Sequence, residues 1–198
     1  MRLVLASASP RRVELLKAAG FEFEVLPVDV DESVRALESP ARYVERLAAE
    51  KSARAQVALK SRSAAASPAA SAESVVLGAD TAVVVDGEIL GKPRDDADAA
   101  GMLGRLSGRA HDVLTGVSLR KGRYEVNRVE SSRVFVATLS ADELRWYVES
   151  GEGRDKAGAY AIQGLASRFI TRIEGSYSNV VGLPIAMVYD LLQALGRS

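Results

Sequence analysis

Short apolar blocks, punctuated by Ser, Pro, Gly and Asp, run the length of the chain, and their spacing switches between that of strands and that of helices. Residues 2–6 are short, apolar and followed at once by Ser-Ala-Ser-Pro, the pattern of a buried strand entering a turn. Ser9 then stands where a helix N-cap belongs, and Pro10 at the first helical position, where no partner is needed for its missing N–H. The helix carries Val13, Leu15, Leu16 and Ala19 and stops at Gly20. Phe21 to Val28 alternates apolar and polar residues and predicts a second strand. Ser39-Pro40 repeats the cap-plus-proline signal before a helix bearing Tyr43, Val44, Leu47 and Lys51.

Residues 60–74, rich in Ala and Ser, form the one low-complexity segment and predict an exposed loop, since their composition builds no core. From Val75 the pattern is a strand, a tight Asp86-Gly87 turn, and a second strand at Glu88-Ile89-Leu90. Asp95 or Asp96 caps a helix ending near Gly108, and a β-rich stretch from Val113 to Val136 turns at Lys121-Gly122. Ser140 and Glu143 make a capping box for a helix holding Leu144, Trp146 and Tyr147. Strands near Ala159–Ile162 and Phe169–Ile173 and a helix from Pro184 to Leu195, stopping at Gly196, complete the order. Helices and strands mix without strict alternation, which predicts an α/β fold with a mixed, twisted sheet flanked by helices.

Composition narrows the class. At 198 residues and 47% hydrophobic content the chain can bury one core or two small lobes. Lys and Arg number 26, as do Asp and Glu, so no long-range basic field holds a nucleic-acid backbone, and phosphate affinity must be local. The absence of cysteine removes disulfides, a thiol nucleophile and cysteine-ligated zinc. The apolar run at Met1 to Ser7 is too short for a signal peptide, and no stretch approaches the ~20 residues of a membrane span. The expectation is a soluble cytoplasmic protein with no nucleic-acid or membrane partner.

Four segments are candidates for chemistry. Ser7-Ala8-Ser9-Pro10-Arg11-Arg12 sets two hydroxyls and two arginines at a strand-to-helix turn, where backbone N–H groups and the helix dipole attract anions. A capped surface helix with solvated arginines would read the same way. In Gly78-Ala79-Asp80-Thr81, a carboxylate follows the apolar Val75-Val76-Leu77, which is costly unless it is paired or bound to a metal. Asp80 is thus a candidate Mg²⁺ ligand or proton acceptor, although turn aspartates often bond only their own backbone. Lys51, and Lys92 in Gly91-Lys92-Pro93, could neutralise phosphate charge. Gln163, beside a glycine at the end of an apolar run, offers a donor and an acceptor that match O4 and N3–H of uracil or thymine. His111, the only histidine, is expected at the surface or a strand end; Gly151-Glu152-Gly153 lacks the residues of a P-loop; Trp146 is expected to pack.

Together these segments resemble the Maf family, whose fold is similar to that of the inosine triphosphate pyrophosphatases. The likeness runs through Leu5 to Arg12, Tyr43 to Lys51, Leu77 to Thr81, Lys92 to Asp95, Thr115-Gly116-Val117, Asp155 to Gly164, and Gly175 to Pro184. It implies a single domain over residues 1–198 with two lobes around a cleft. It also implies metal-dependent attack of water on a nucleoside triphosphate, releasing pyrophosphate, with Mg²⁺ or Mn²⁺ as cofactor. Asp80 is then the proton acceptor. Arg11, Thr81 and Gln163 fall where the family sets base preference, Ser7, Ser9, Arg12, Lys51 and Lys92 line the triphosphate, and Glu32 shares the metal with Asp80. The branch that resembles 7-methyl-GTP pyrophosphatases has Glu in place of Gln163, Gln in place of Thr81 and Tyr-Arg in place of Pro10-Arg11. All three differences favour UTP and dTTP as substrates and a housekeeping role in nucleotide pools. A homodimer is compatible with the resemblance; the alternatives are a nucleotide-binding regulator of septum formation and a 7-methyl-GTP pyrophosphatase.

Overall fold

The computed structural model of the protein describes residues 2–64 and 74–196. Its strands are β1 (Arg2–Leu5), β2 (Phe23–Val25), β3 (Ser74–Val85), β4 (Glu88–Leu90), β5 (Ala110–Lys121), β6 (Tyr124–Val136) and β7 (Ile170–Glu174). The α-helices among the described residues are α1 (Pro10–Ala18), α2 (Pro40–Ala64), α3 (Asp96–Leu106), α4 (Ala141–Glu149), α5 (Tyr177–Val181) and α6 (Ile185–Gly196). The seven strands form one mixed sheet in the order β2-β1-β3-β5-β6-β7, with β4 on β3. β1 runs parallel to β2 and β3, while β3–β4 and β6–β7 are antiparallel. The expected mixed sheet flanked by helices is therefore present. No helix among the described residues is long and apolar enough to cross a membrane.

The residues cluster into two compact units. Unit 1 comprises residues 1–80, 115–130 and 182–198; unit 2 comprises 81–114 and 131–181. In unit 1, Leu3 to Leu5 of β1 and Val75 to Leu77 of β3 are unbroken apolar runs because both faces of the sheet are covered there. Leu3, Leu5, Val75, Leu77 and Ala79 pack with Leu16 of α1 and with Val188, Leu192 and Leu195 of α6. Val4, Ala6 and Val76 point the other way, into a cluster with Ala55 and Leu59 of α2. By the same alternation Gly78 and Asp80 belong to the α2 face. In unit 2, Asp95 caps α3 by accepting from the Asp98 N–H, and Ser140 and Glu143 close the expected capping box on α4. Buried Asn179 donates to the Val113 carbonyl at 2.9 Å and to Ser132 Oγ at 3.0 Å.

Several expectations are corrected. The loop expected over 60–74 fails at both ends. Lys60 to Ala64 continue α2, as strong helix formers such as Ala, Lys and Arg do, and Ser74 opens β3 at 3% exposure. Residues 65–73 of that segment lie outside the described residues. The strand expected at Ala159–Ile162 is absent, because Gly158 and Ala159 take left-handed φ values of 68° and 58°, which an extended strand cannot include. Of the two places expected for His111, the strand end holds and the surface does not: it is the second residue of β5, 2% exposed, and its Nε2 meets the Tyr160 hydroxyl at 2.8 Å.

Candidate functional site

The charged site is built in unit 1 by the fit of α2 against the sheet. Positions 44, 47, 48, 51, 52, 55 and 59 of α2 are all buried, the stripe that a 3.6-residue period lays on one helix face. A side chain at Gly78 would overlap the Ala48 carbonyl oxygen and come within 2.7 Å of the Ser52 nitrogen, and one at Gly116 would overlap the Val44 carbonyl oxygen. These two glycines, on the neighbouring strands β3 and β5, let α2 approach at backbone distance. The close approach brings Lys51, the one charged residue of the stripe, onto Asp80.

Lys51 Nζ donates to Asp80 Oδ1 at 2.6 Å and to Glu32 Oε1 at 2.7 Å. Lys51 and Asp80 are each 8% exposed, while the Glu32 side chain is 51% exposed. Buried carboxylates and ammonium groups persist only when paired in this way. Arg12, also 8% exposed, closes the opposite side of β3. Its Nη1 donates to the Ala79 carbonyl at 2.8 Å and to Ser7 Oγ at 3.2 Å, and its Nε to the Gly182 carbonyl at 2.8 Å. Burial pulls the Arg12 pKa below its ordinary value, and the charges of Asp80 and Glu32 oppose that pull.

Glu32 lies on an irregular segment, yet its position is fixed from α2. The Tyr43 hydroxyl donates to the Glu32 carbonyl at 3.0 Å. Arg46 Nη2 donates to the Ser33 carbonyl at 3.0 Å, and Arg46 grips Glu38 through Nε at 2.6 Å and Nη2 at 2.8 Å. That pairing holds the Glu38 carboxyl down to about 2. Burial first, and then the fields of Asp80 and Glu32, push the Tyr43 phenol up to about 12. Neither Tyr43 nor Arg46 was singled out from sequence as a support for Glu32. Their spacing to Lys51 along one helix was the available signal.

Ser9 occupies the N-cap position of α1 but makes no side-chain cap bond. Ser7 does the organising instead: its Oγ accepts from the Ser9 N–H at 3.2 Å as well as from Arg12. Arg11 is half-buried beside it. Ser7, Arg12, Glu32, Lys51 and Asp80 are thus brought together within unit 1. In unit 2, Thr81 is half-buried, and Lys92 is exposed in the turn after β4. Gln163 is exposed in the 162–164 turn rather than at a strand end. The Gly158 N–H donates to the Gly91 carbonyl at 3.0 Å, tying the Gln163 segment to the turn that holds Lys92.

Among the described residues no group of three or more His, Cys, Asp or Glu side chains is placed to hold a metal. What the chain offers is a pair of hard oxygen donors, Glu32 and Asp80, converging on one cationic position. One or two carboxylates, completed by phosphate oxygens and water, are the usual protein share of a Mg²⁺ site, so the donor set fits Mg²⁺ or Mn²⁺ bound with a polyphosphate.

Lys51 thus lies between buried Asp80 and half-exposed Glu32 on an α/β sheet, with Arg12 under a strand-to-helix turn. The family model described as Maf-like protein matches residues 2–195, and the chain belongs to that family. Curated relatives carry the name dTTP/UTP pyrophosphatase. The one from Symbiobacterium thermophilum is 50% identical over 98% of this chain and 94% of its own length. That of Vibrio cholerae serotype O1 is 51% identical over 96% of each. Among solved structures, the Staphylococcus aureus Ham1 protein is similar at TM-score 0.47 and 18% identity, over 69% of this chain and 72% of that one.

Proposed function

We propose that this protein hydrolyses dTTP and UTP to the nucleoside monophosphate and pyrophosphate, as a housekeeping activity on cytoplasmic nucleotide pools. The observation that carries the reading is Asp80, buried at 8% exposure, hydrogen-bonded to Lys51 and sharing that ammonium with Glu32. The names of relatives about half identical over nearly the whole chain support the substrate class.

The chemistry follows from charge and position. Water attacks the α-phosphorus, a new P–O bond forms, the bond to the bridging oxygen breaks, and pyrophosphate leaves. Asp80 accepts the proton of the attacking water. Lys51 orients Asp80 through its 2.6 Å hydrogen bond while both are out of bulk water. Arg12, Ser7, Ser9, Lys51 and Lys92 bind phosphate oxygens, with the cationic groups offsetting the charge that builds as the leaving group departs. Arg12 reaches phosphate only with donors beyond those committed to Ala79, Ser7 and Gly182, so it also serves as a fixed positive charge beneath the turn. Glu32 and Asp80 would hold a divalent cation, Mg²⁺ or Mn²⁺, which when bound supplies Lewis-acid neutralisation of the polyphosphate. Arg11, Thr81 and Gln163 select the base. Within that set the Gln163 amide, exposed in its turn, donates to O4 and accepts from N3–H of a uracil or thymine ring.

The test is pyrophosphate release from a panel of triphosphates with Mg²⁺ or Mn²⁺, comparing the unmodified chain with Asp80→Asn. UTP and dTTP are expected to lead the panel. Asp80→Asn is expected to lose about a thousandfold in turnover, within the range seen when an acid–base group is removed, while keeping its far-ultraviolet circular dichroism. Undiminished turnover in a folded Asp80→Asn protein removes Asp80 from the reaction. No pyrophosphate from any triphosphate removes the activity.

A further inference from the structure

The Gln163 turn is closed by a backbone bond of its own, from the Gly164 N–H to the Ala161 carbonyl at 3.1 Å, and contacts from outside are needed only to anchor that turn in its unit. Two side chains outside that turn supply them, and both belong to unit 2. The Glu152 carboxylate accepts from the Leu165 N–H through Oε1 at 2.8 Å and from the Ala166 N–H through Oε2 at 3.2 Å. Tyr147, 2% exposed on α4, donates its hydroxyl to Glu152 Oε2 at 2.7 Å. The same hydroxyl oxygen accepts from the Ala161 N–H at 3.2 Å. The backbone is therefore held two residues before Gln163 and two residues after it by one connected pair.

The neighbouring glycine belongs to the same device. A side chain at Gly164 would overlap Glu152 Oε1, so only glycine lets the carboxylate reach the turn. A charged acceptor that takes two backbone N–H bonds and a phenol proton is a strong tether, stronger than neutral pairs of the same geometry. Ala161, Ile162 and Ala166 of the segment are buried, and the tether acts on the stretch between them, where Gln163 and Leu165 are exposed. Tyr147 is itself held in place by the Phe169 ring, edge-to-face at 6.2 Å.

We propose that Glu152 and Tyr147 form a clamp that positions Gln163 for base selection. They are positioning residues: neither touches the base, and they act by fixing the backbone on both sides of the residue that does. The clamp rests on the reading that Gln163 selects the base, and the experiment separates failure of the one from failure of the other.

The measurement is the ratio of kcat/KM for UTP over GTP in the unmodified chain, Gln163→Ala, Glu152→Gln, Tyr147→Phe and the double variant Glu152→Gln/Gln163→Ala. Tyr147→Phe keeps the packed ring and removes only the hydroxyl, so it carries the test if Glu152→Gln folds poorly. The expected result is a fall of about tenfold in the ratio for each clamp variant, the factor set by losing about one buried hydrogen bond's worth of discrimination. The double variant is expected to fall no further than Gln163→Ala, because a clamp has nothing left to position once the amide is gone. If Gln163→Ala lowers the ratio and both clamp variants leave it unchanged, the clamp is overturned while base reading stands. Additive losses in the double variant overturn it too, since Glu152 would then act independently of Gln163. If Gln163→Ala itself leaves the ratio unchanged, base reading fails and the clamp with it.

Discussion

The two units solve the burial of polar groups in opposite ways. Unit 1 keeps charges inside by pairing them: Asp80, Lys51 and Arg12 are each 8% exposed, and every one bonds to a fixed partner. Unit 2 keeps its buried titratable group neutral. His111 sits at 2% exposure beside the Tyr160 hydroxyl, and burial lowers its pKa to about 4. The difference matches the roles proposed for Ser7, Arg12 and Lys51 in unit 1, which bind phosphate, and for Gln163 in unit 2, which reads the base. Binding polyphosphate needs cations that stay charged out of water, which requires compensating carboxylates nearby. Reading a base edge needs a neutral amide with a donor and an acceptor, exposed and well placed, which requires tethers rather than counter-charges.

The comparison breaks most sharply at the glycines. Gly78→Ala is expected to destabilise the chain by about 3 kcal/mol or more, because the added carbon meets backbone of α2 that cannot rotate away. Gly101→Ala, in α3 of unit 2, is expected to stabilise it by about 1 kcal/mol, since nothing lies within 4 Å and alanine is the better helix former. Urea midpoints of the two variants measure both. If Gly78→Ala is as stable as the unmodified chain, the close approach that places Lys51 on Asp80 is not required by the fold.

Acid separates the units next. A histidine whose folded pKa lies below its unfolded value binds its proton more readily when unfolded, so it destabilises the folded chain as pH falls from about 6.5 through about 4. The span corresponds to on the order of 3 kcal/mol, lost progressively across that window. Glu38 behaves differently: held down to about 2 by Arg46, it loses its contribution only as pH falls from 4.5 through that value. His111→Gln, which keeps a hydrogen-bonding group without a titration, is expected to flatten the stability profile between pH 6.5 and 4.5. An unchanged profile in that variant, followed by urea unfolding at each pH, assigns the acid sensitivity to other groups.

How much of this was legible in the sequence depended on whether the signal was local. Turn chemistry was: Asp86 and Gly87, both at positive φ, make the expected hairpin, and Ser140 with Glu143 makes the expected box. The family motifs pointed to Asp80, Lys51 and Arg12, Glu32 came from the overall likeness with no distinctive motif around it, and the structure brings those four together in unit 1. What failed were inferences from apolar runs that lacked long-range information. Ala159 to Ile162 looked like a strand because the run is apolar, but the left-handed Gly158 and Ala159 turn it. The strand end expected for His111 was right, but its burial was not legible, because nothing adjacent in sequence announces its partner, Tyr160, which lies 49 positions away. The closeness required at Gly78 and Gly116, and the reach of Glu152 to the Gln163 turn, are likewise properties of elements distant in the chain.

The smallest expected effect is the most specific to chemistry. Gln163→Glu exchanges an amide for a group that only accepts hydrogen bonds, without changing shape. Uracil and thymine present an acceptor at O4 that the carboxylate cannot serve, whereas the guanine edge presents N1–H and the N2 amine, which it can. The variant is therefore expected to lose about tenfold in kcat/KM for UTP and dTTP relative to 7-methyl-GTP, the factor of about one mispaired hydrogen bond. Because the side chain lies in an exposed turn, folding stability should be unaffected, and the effect should appear in the substrate ratio alone. An unchanged ratio would move base selection away from Gln163 and onto Arg11 and Thr81. The charged half of the comparison would then stand, and the neutral half would need a different reader.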